Sequence, residues 1–168
     1  MATITLKGNP IHTIGQLPAL GTTCPDFRLV AGDLSEATLA TFGSQRKVLN
    51  IVPSLDTGIC QMSARRFNAE AGSLADTVII NVSADLPFAQ KRFCDAEKLN
   101  HVVNLSSFRS PQFGHAFGVA ITDGPLAGLL SRAVLVLDAR NQVVLAQQVP
   151  EIVQEPDYEA VLKALKKA

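Results

Sequence analysis

The chain has 168 residues, is 47% apolar, and balances fifteen basic against fifteen acidic side chains. That length suits one domain spanning 1–168, and the lack of net charge argues against a nucleic-acid or anionic-membrane binder, which would need a basic face. No apolar run reaches the roughly 18 residues of a membrane span, no secretory signal opens the chain, and three cysteines are too few for a disulfide scaffold, so a reducing cytoplasm is the expected setting.

Residues 1–21 hold two short alternating stretches, 3–7 and 11–15, separated by Asn9-Pro10, and predict an amino-terminal β-hairpin extension. A short strand follows at 27–30. Lys47-Val48-Leu49-Asn50-Ile51-Val52 reads as a buried strand stopped by Pro53. Residues 58–71 predict a helix, because Cys60, Ala64, Phe67 and Ala71 recur at spacings of 4, 3 and 4. Residues 77–82 form the next buried strand. Asp85 is the expected N-cap of a second helix that has Pro87 in its first turn and runs to about Leu99. Its apolar stripe is Leu86, Ala89, Phe93 and Ala96. Residues 102–105 predict a strand, 111–117 a short helix, and 133–137 and 143–149 two strands with Asn141 in the turn between them. A last helix spans 157–167, with lysines toward its end where cations suit the dipole. The order β-α-β-α, then β-β-α, predicts an α/β sandwich with a mixed central sheet flanked by helices, and a thioredoxin-like arrangement fits it.

The cysteines differ in setting. Cys60 follows Pro53-Ser54-Leu55-Asp56-Thr57-Gly58-Ile59, where a strand hands over to a helix. With Thr57 as N-cap it sits at N3, where unpaired backbone N–H groups and the helix dipole favour a negative sulfur. The competing reading is a core cysteine on the stripe with Ala64 and Phe67. Cys94 has polar helical neighbours (Gln90, Lys91, Glu97, Lys98), which places it off the apolar stripe and at least partly accessible. Either it partners Cys60 or it is incidental. Cys24 precedes Pro25 with no helix start after it and reads as a packing residue. No Cys-x-x-Cys pair exists and His12, His101 and His115 are scattered, so no metal site is expected. A cysteine–histidine hydrolase lacks a histidine at a strand end.

Pro53-Ser54-Leu55-Asp56-Thr57-Gly58-Ile59-Cys60 resembles the Pro-x-x-x-Thr-x-x-Cys signature of the peroxiredoxins, and most closely that of the bacterial thiol peroxidase subfamily, the atypical two-cysteine peroxiredoxins. Ser83-Ala84-Asp85-Leu86-Pro87-Phe88-Ala89-Gln90, Arg92-Phe93-Cys94, Asp123-Gly124-Pro125-Leu126 and Arg132-Ala133-Val134 extend the likeness over nearly the whole chain. The resemblance implies that Cys60 is the peroxidatic cysteine and Cys94 the resolving one. It implies that Thr57 and Arg132 activate Cys60 and that Pro53 shields its sulfur from water. It also implies hydrogen peroxide and organic hydroperoxides as substrates, thioredoxin as reductant, a homodimer, and no bound cofactor. A peroxide-sensing regulator or binding module on the same fold is the alternative, separable by rate because a sensor need not turn over repeatedly.

On this reading the Thr57 hydroxyl either caps the helix or binds the peroxide. In a thioredoxin-like sheet the strand at 133–137 runs antiparallel to those preceding the two main helices, which brings Arg132 near Cys60. A guanidinium about 4 Å from a thiolate contributes on the order of 4 kcal/mol at an effective dielectric of 20, before desolvation offsets part of it. Cys94 lies several turns along its helix and Cys60 at the top of its own. The reduced fold is therefore expected to hold them farther apart than the roughly 7 Å between Cα atoms that a disulfide allows, so that local unwinding must precede closure.

Overall fold

The computed structural model describes all residues, 1–168. Thr3–Leu6 (β1) and Asn9–His12 (β2) pair antiparallel across Lys7 and Gly8, whose φ values are 51° and 79°. Two successive positive φ angles match the right-handed twist of a two-residue hairpin, and glycine adopts one without strain. The turn thus falls ahead of Asn9-Pro10, which opens the second strand instead of separating the two. The hairpin is tied to the body at Thr5, whose amide donates to the Pro150 carbonyl at 2.7 Å.

The central sheet takes seven strands: Leu29–Ala31 (β3), Glu36–Ala37 (β4), Arg46–Ile51 (β5), Thr77–Ser83 (β6), Val103–Ser106 (β7), Ala133–Leu137 (β8) and Val143–Gln148 (β9). Their spatial order is β4-β3-β7-β6-β5-β8-β9. β5, β6 and β7 run parallel, while β8 is antiparallel to β5, β9 to β8, and β3 to β7. The helices are Gly58–Ala71 (α1), Pro87–Glu97 (α2), Gln112–Ala116 (α3) and Tyr158–Leu165 (α4). This is the mixed α/β architecture with an amino-terminal hairpin that the sequence predicts. The short β4 and a 3₁₀ turn at Leu39–Phe42 lie in a stretch with no hydrophobic period, and were not predicted.

The twofold period of the strands sorts the core into two layers. Leu49, Ile51, Ile80, Val82 and Leu105 face Phe113 and Phe117 on one side. Val48, Ile79, Val134 and Val136 face Phe67 of α1 and Val161 and Leu165 of α4 on the other. Each such burial stabilises by about 1.5–3 kcal/mol. A third cluster joins α1 to α2 through Val52, Leu55, Cys60, Ala64, Phe93 and Leu99.

α2 departs from expectation in two ways. Its N-cap is Leu86, not Asp85, and its buried residues are Pro87, Gln90 and Phe93, while Leu86 and Ala96 are exposed. The helix ends at Glu97, where Lys98 takes the left-handed conformation at φ 54° and turns the chain so that Leu99 is buried beyond the helix.

Candidate active site

The strand β5 delivers the chain to Val52 and Pro53, both buried, at the carboxyl edge of the sheet. Thr57 is the backbone N-cap of α1, with φ −106° and ψ 145°, and the Gln61 amide makes the first helical bond to its carbonyl. Cys60 therefore occupies N3, as its spacing from Thr57 predicts, and is fully buried. The Thr57 side chain does not cap the helix. Its hydroxyl donates to the Ser54 carbonyl at 3.0 Å, which removes one of its two candidate roles.

Asp85 explains how the turn before α1 is held. Its carboxylate accepts from the Ser54 hydroxyl at 2.7 Å, from the Leu55 amide at 2.8 Å and from the Ser83 hydroxyl at 2.7 Å. The end of β6 thus clamps the loop that follows β5. A carboxylate committed to three such donors has no part in capping α2, which is why that helix starts later than expected. Bonds to a charged acceptor are worth about 1.5–3 kcal/mol each, so the clamp is stiff.

Arg132 immediately precedes β8, which pairs Ala133 with Ile51 of β5 in antiparallel register. The antiparallel direction brings the guanidinium to the start of α1, as the sequence predicts. Nη2 donates to Cys60 Sγ at 3.4 Å and Nε to the Ile152 carbonyl at 2.9 Å. Arg132 is 1% exposed, forms no salt bridge, and its Nη1 has no hydrogen-bond partner. A buried cation without a counter-charge is costly. Among the groups bonded to this guanidinium, only the Cys60 sulfur can become an anion. Nη1, still free to donate, suits an incoming oxygen or the charge that develops on it.

Cys94 lies on α2 and is half-buried against the cluster that holds Cys60, Ala64 and Phe93. This corrects its placement off the apolar stripe: the inner face of α2 is rotated toward Gln90 and Phe93. Burial pushes the Cys94 thiol up to about 11, against a hydrogen bond from Asn104 Nδ2 to the sulfur at 2.7 Å that pulls it down. Cys24 is buried in the main core, and desolvation, reinforced by Asp26 and opposed by Lys47, pushes its thiol up to about 12. It is the packing residue its context predicts. All three cysteines are free thiols. His12 is the last residue of β2, which corrects the expectation that no histidine stands at a strand end; its imidazole is paired with Asp123 at 2.6 Å, and no three His, Cys, Asp or Glu side chains converge.

The structure thus gathers Pro53, Thr57, Cys60 and Arg132 at one end of the sheet, with Cys94 on the neighbouring helix. Sequence reasoning missed Asp85 as the loop clamp, and it missed the asparagines beneath the helices. Asn50, Asn81 and Asn104 each have an apolar residue on either side in the chain (Leu49 and Ile51, Ile80 and Val82, Val103 and Leu105), and that interruption is the signal that marks them.

The chain matches the Redoxin family over residues 19–162. It is 50% identical over 165 residues to the thiol peroxidase of Mycobacterium bovis, covering 98% of this chain and 99% of that protein. A peroxiredoxin-like protein from Aquifex aeolicus superposes with a TM-score of 0.93 at 36% identity, covering 99% of this chain and 97% of that one. The thiol peroxidase from Chromobacterium violaceum superposes with a TM-score of 0.91 at 25% identity, over 98% and 95% of the two chains.

Proposed function

The chain belongs to the redoxin family, as a bacterial peroxiredoxin of the thiol peroxidase type, and on that premise we propose that Cys60 is the sulfur that attacks peroxide and Cys94 the one that resolves the product. The observation that carries this reading is the Arg132 guanidinium, buried without a carboxylate, 3.4 Å from a cysteine in the first turn of α1. Hydrogen peroxide and organic hydroperoxides are the substrates. The Cys60 thiolate attacks one peroxide oxygen in line with the O–O bond. A sulfur–oxygen bond forms, the O–O bond breaks, and the departing alkoxide or hydroxide leaves as alcohol or water after taking a proton. Arg132 orients the oxygens and stabilises the charge on the leaving one. The Thr57 hydroxyl, which accepts no hydrogen bond within the chain, is available to the peroxide. Pro53 keeps water from the sulfur.

Cys60 is left as a sulfenic acid, which must be captured before a second peroxide carries it to sulfinic acid. The Cys94 sulfur attacks it, a disulfide forms, and the oxygen leaves as water. The two thiols have then supplied the two electrons that reduced the peroxide. Thioredoxin, a dithiol of the reducing cytoplasm, returns both to thiols. Cys60 is fully buried and its sulfur is held by Arg132, while Cys94 of α2 is held by Asn104 of β7. Closure therefore proceeds by local unwinding at the start of α1 or within α2, which gives up part of the cluster that joins the two helices. The exposed apolar side chains Leu34, Leu86, Phe88 and Phe108 support a homodimer, since four large apolar groups left in water favour a partner surface.

Replacing Cys60 with serine tests the reading. Peroxide consumption is expected to be lost while the fold is retained, and continued consumption by that variant would overturn it.

A further inference from the structure

Beneath α1 and α2, three asparagines stand side by side on the three parallel strands. Asn50 of β5 is in register with Asn81 of β6, and Asn81 with Asn104 of β7. The twofold strand period puts all three on the same face of the sheet as α1. Their amides form one directed chain. Asn50 Nδ2 donates to Asn81 Oδ1 at 2.8 Å, Asn81 Nδ2 to Asn104 Oδ1 at 3.0 Å, and Asn104 Nδ2 to Cys94 Sγ at 2.7 Å. At its other end Asn50 Nδ2 also reaches the Ser63 hydroxyl at 3.3 Å, which in turn donates to the Cys60 carbonyl at 3.0 Å. Cys60 and Cys94 are thus the two ends of a single hydrogen-bonded path.

Asn50 is fully buried, and its Oδ1 has no partner. An orphaned buried carbonyl carries a desolvation penalty. From Asn50 to Cys94 the three amide donors point the same way, away from that carbonyl and toward the sulfur. Successive amide hydrogen bonds polarise one another, so the last donor is stronger than an isolated amide. Of the groups in the chain only the terminal sulfur can become negative, and an ionised acceptor roughly doubles the strength of such a bond.

We propose that Asn104 is a positioning residue for the resolving step, with the Asn50–Asn81–Asn104 ladder orienting its amide so that it holds the Cys94 sulfur and favours its nucleophilic form. This rests on the reading of Cys94 as the resolving cysteine. The ladder opposes the desolvation that Cys94 suffers on the inner edge of α2, and keeps a half-buried thiol usable.

A pair of substitutions that differ by one donor tests this. Val and Thr have nearly the same shape and both suit a strand, but only Thr has a hydroxyl to donate. The full-length protein carrying Cys24→Ser and Cys60→Ser leaves Cys94 as the only thiol, which a surface cavity of about 290 Å³ connects to solvent beside Asn104. Its alkylation by iodoacetamide is followed from pH 7 to 10, with folding checked by circular dichroism. Asn104→Val is expected to move the profile to higher pH and to slow alkylation about tenfold at pH 8, the loss of one hydrogen bond to a charged sulfur. Asn104→Thr is expected to slow it less. Simple loosening of α2 would expose the thiol and speed its reaction, so the direction of the change separates positioning from a merely structural role. A Val variant that reacts as fast as the parent or faster, or a Thr variant as slow as Val, would overturn the proposal. In the otherwise unaltered chain, Cys94→Ser given one equivalent of peroxide tests the underlying reading separately. A disulfide that still closes there would refute the resolving role of Cys94 and leave the alkylation result standing.

Discussion

Arg132 and Cys60 meet across the junction of β8 and α1, Nη2 to Sγ at 3.4 Å, and no carboxylate shares the guanidinium. Two segments 72 residues apart in the chain are brought together there by the antiparallel pairing of β5 with β8. On the proposed reading that charge serves the sulfur and what reacts with it. Replacing Arg132 with Met should lower the rate of peroxide consumption by about a hundredfold or more, the scale seen when one donor to a developing oxyanion is removed. The thermal midpoint should hold or rise, because an apolar group of similar volume in place of a buried, unpaired ion is often neutral or stabilising. A loss of activity that tracked a fall in midpoint would show that Arg132 acts through the fold instead. Arg132→Lys should recover only part of the rate, since it keeps the charge but not the fork that reaches both Ile152 and Cys60.

Gly58 is the first residue of α1 and is exposed, and a Cβ built there meets nothing within 4 Å. Gly58→Ala should stabilise the first helical turn by about 0.5–1 kcal/mol. If Cys60 must leave that turn to meet Cys94, the same substitution should slow disulfide closure several-fold after a single equivalent of peroxide. Stopped-flow measurement of the two phases reads this directly. Closure at the parental rate in a variant of raised stability would place the unwinding in α2.

The hairpin is fastened by Glu151. Its carboxylate accepts from the Gly8 amide and the Thr5 hydroxyl, and from the Val153 and Lys7 amides, which together hold it down at about 2 against an ordinary value of 4.5. A carboxyl depressed by folding contributes stability that is complete above the unfolded value and is lost as pH falls through the folded one. Amide exchange at Lys7 and Gly8 should therefore stay protected above about pH 4.5 and lose that protection progressively as the pH falls toward 2. Glu151→Ala should abolish the pH dependence. Protection that stays constant to pH 2 in the parent would show the hairpin to be held by its strand pairing alone.

Much of this site was legible in the residues. The 4-3-4 recurrence of Cys60, Ala64, Phe67 and Ala71 places α1 at the bounds observed, and Thr57 as N-cap puts Cys60 at N3. The five apolar residues after Arg132 mark β8, whose direction follows from the thioredoxin-like order. What escaped was set by partners distant in sequence. Asp85 has the local grammar of a helix cap, but Ser54 and Leu55, thirty-odd positions earlier, claim its carboxylate. The tilt of α2 depends on how Gln90 reaches the Leu105 carbonyl and the Ser83 hydroxyl, so Ala96 and Leu86 are left exposed and Cys94 turns inward. Asn50, Asn81 and Asn104 each stand out in an apolar run, yet only strand register makes them neighbours. Local periodicity carries the elements, and long-range pairing decides which polar groups they bring together.

The most direct test is to map which cysteines become linked after one equivalent of hydrogen peroxide is added to the fully reduced protein. Mass spectrometry of a digest made under acid quench should show Cys60 joined to Cys94 within one chain, with Cys24 remaining a free thiol, as its burial and high proton affinity require. A linkage through Cys24, or oxidation that bypasses Cys60, would contradict the assignment of the reacting sulfur and its partner.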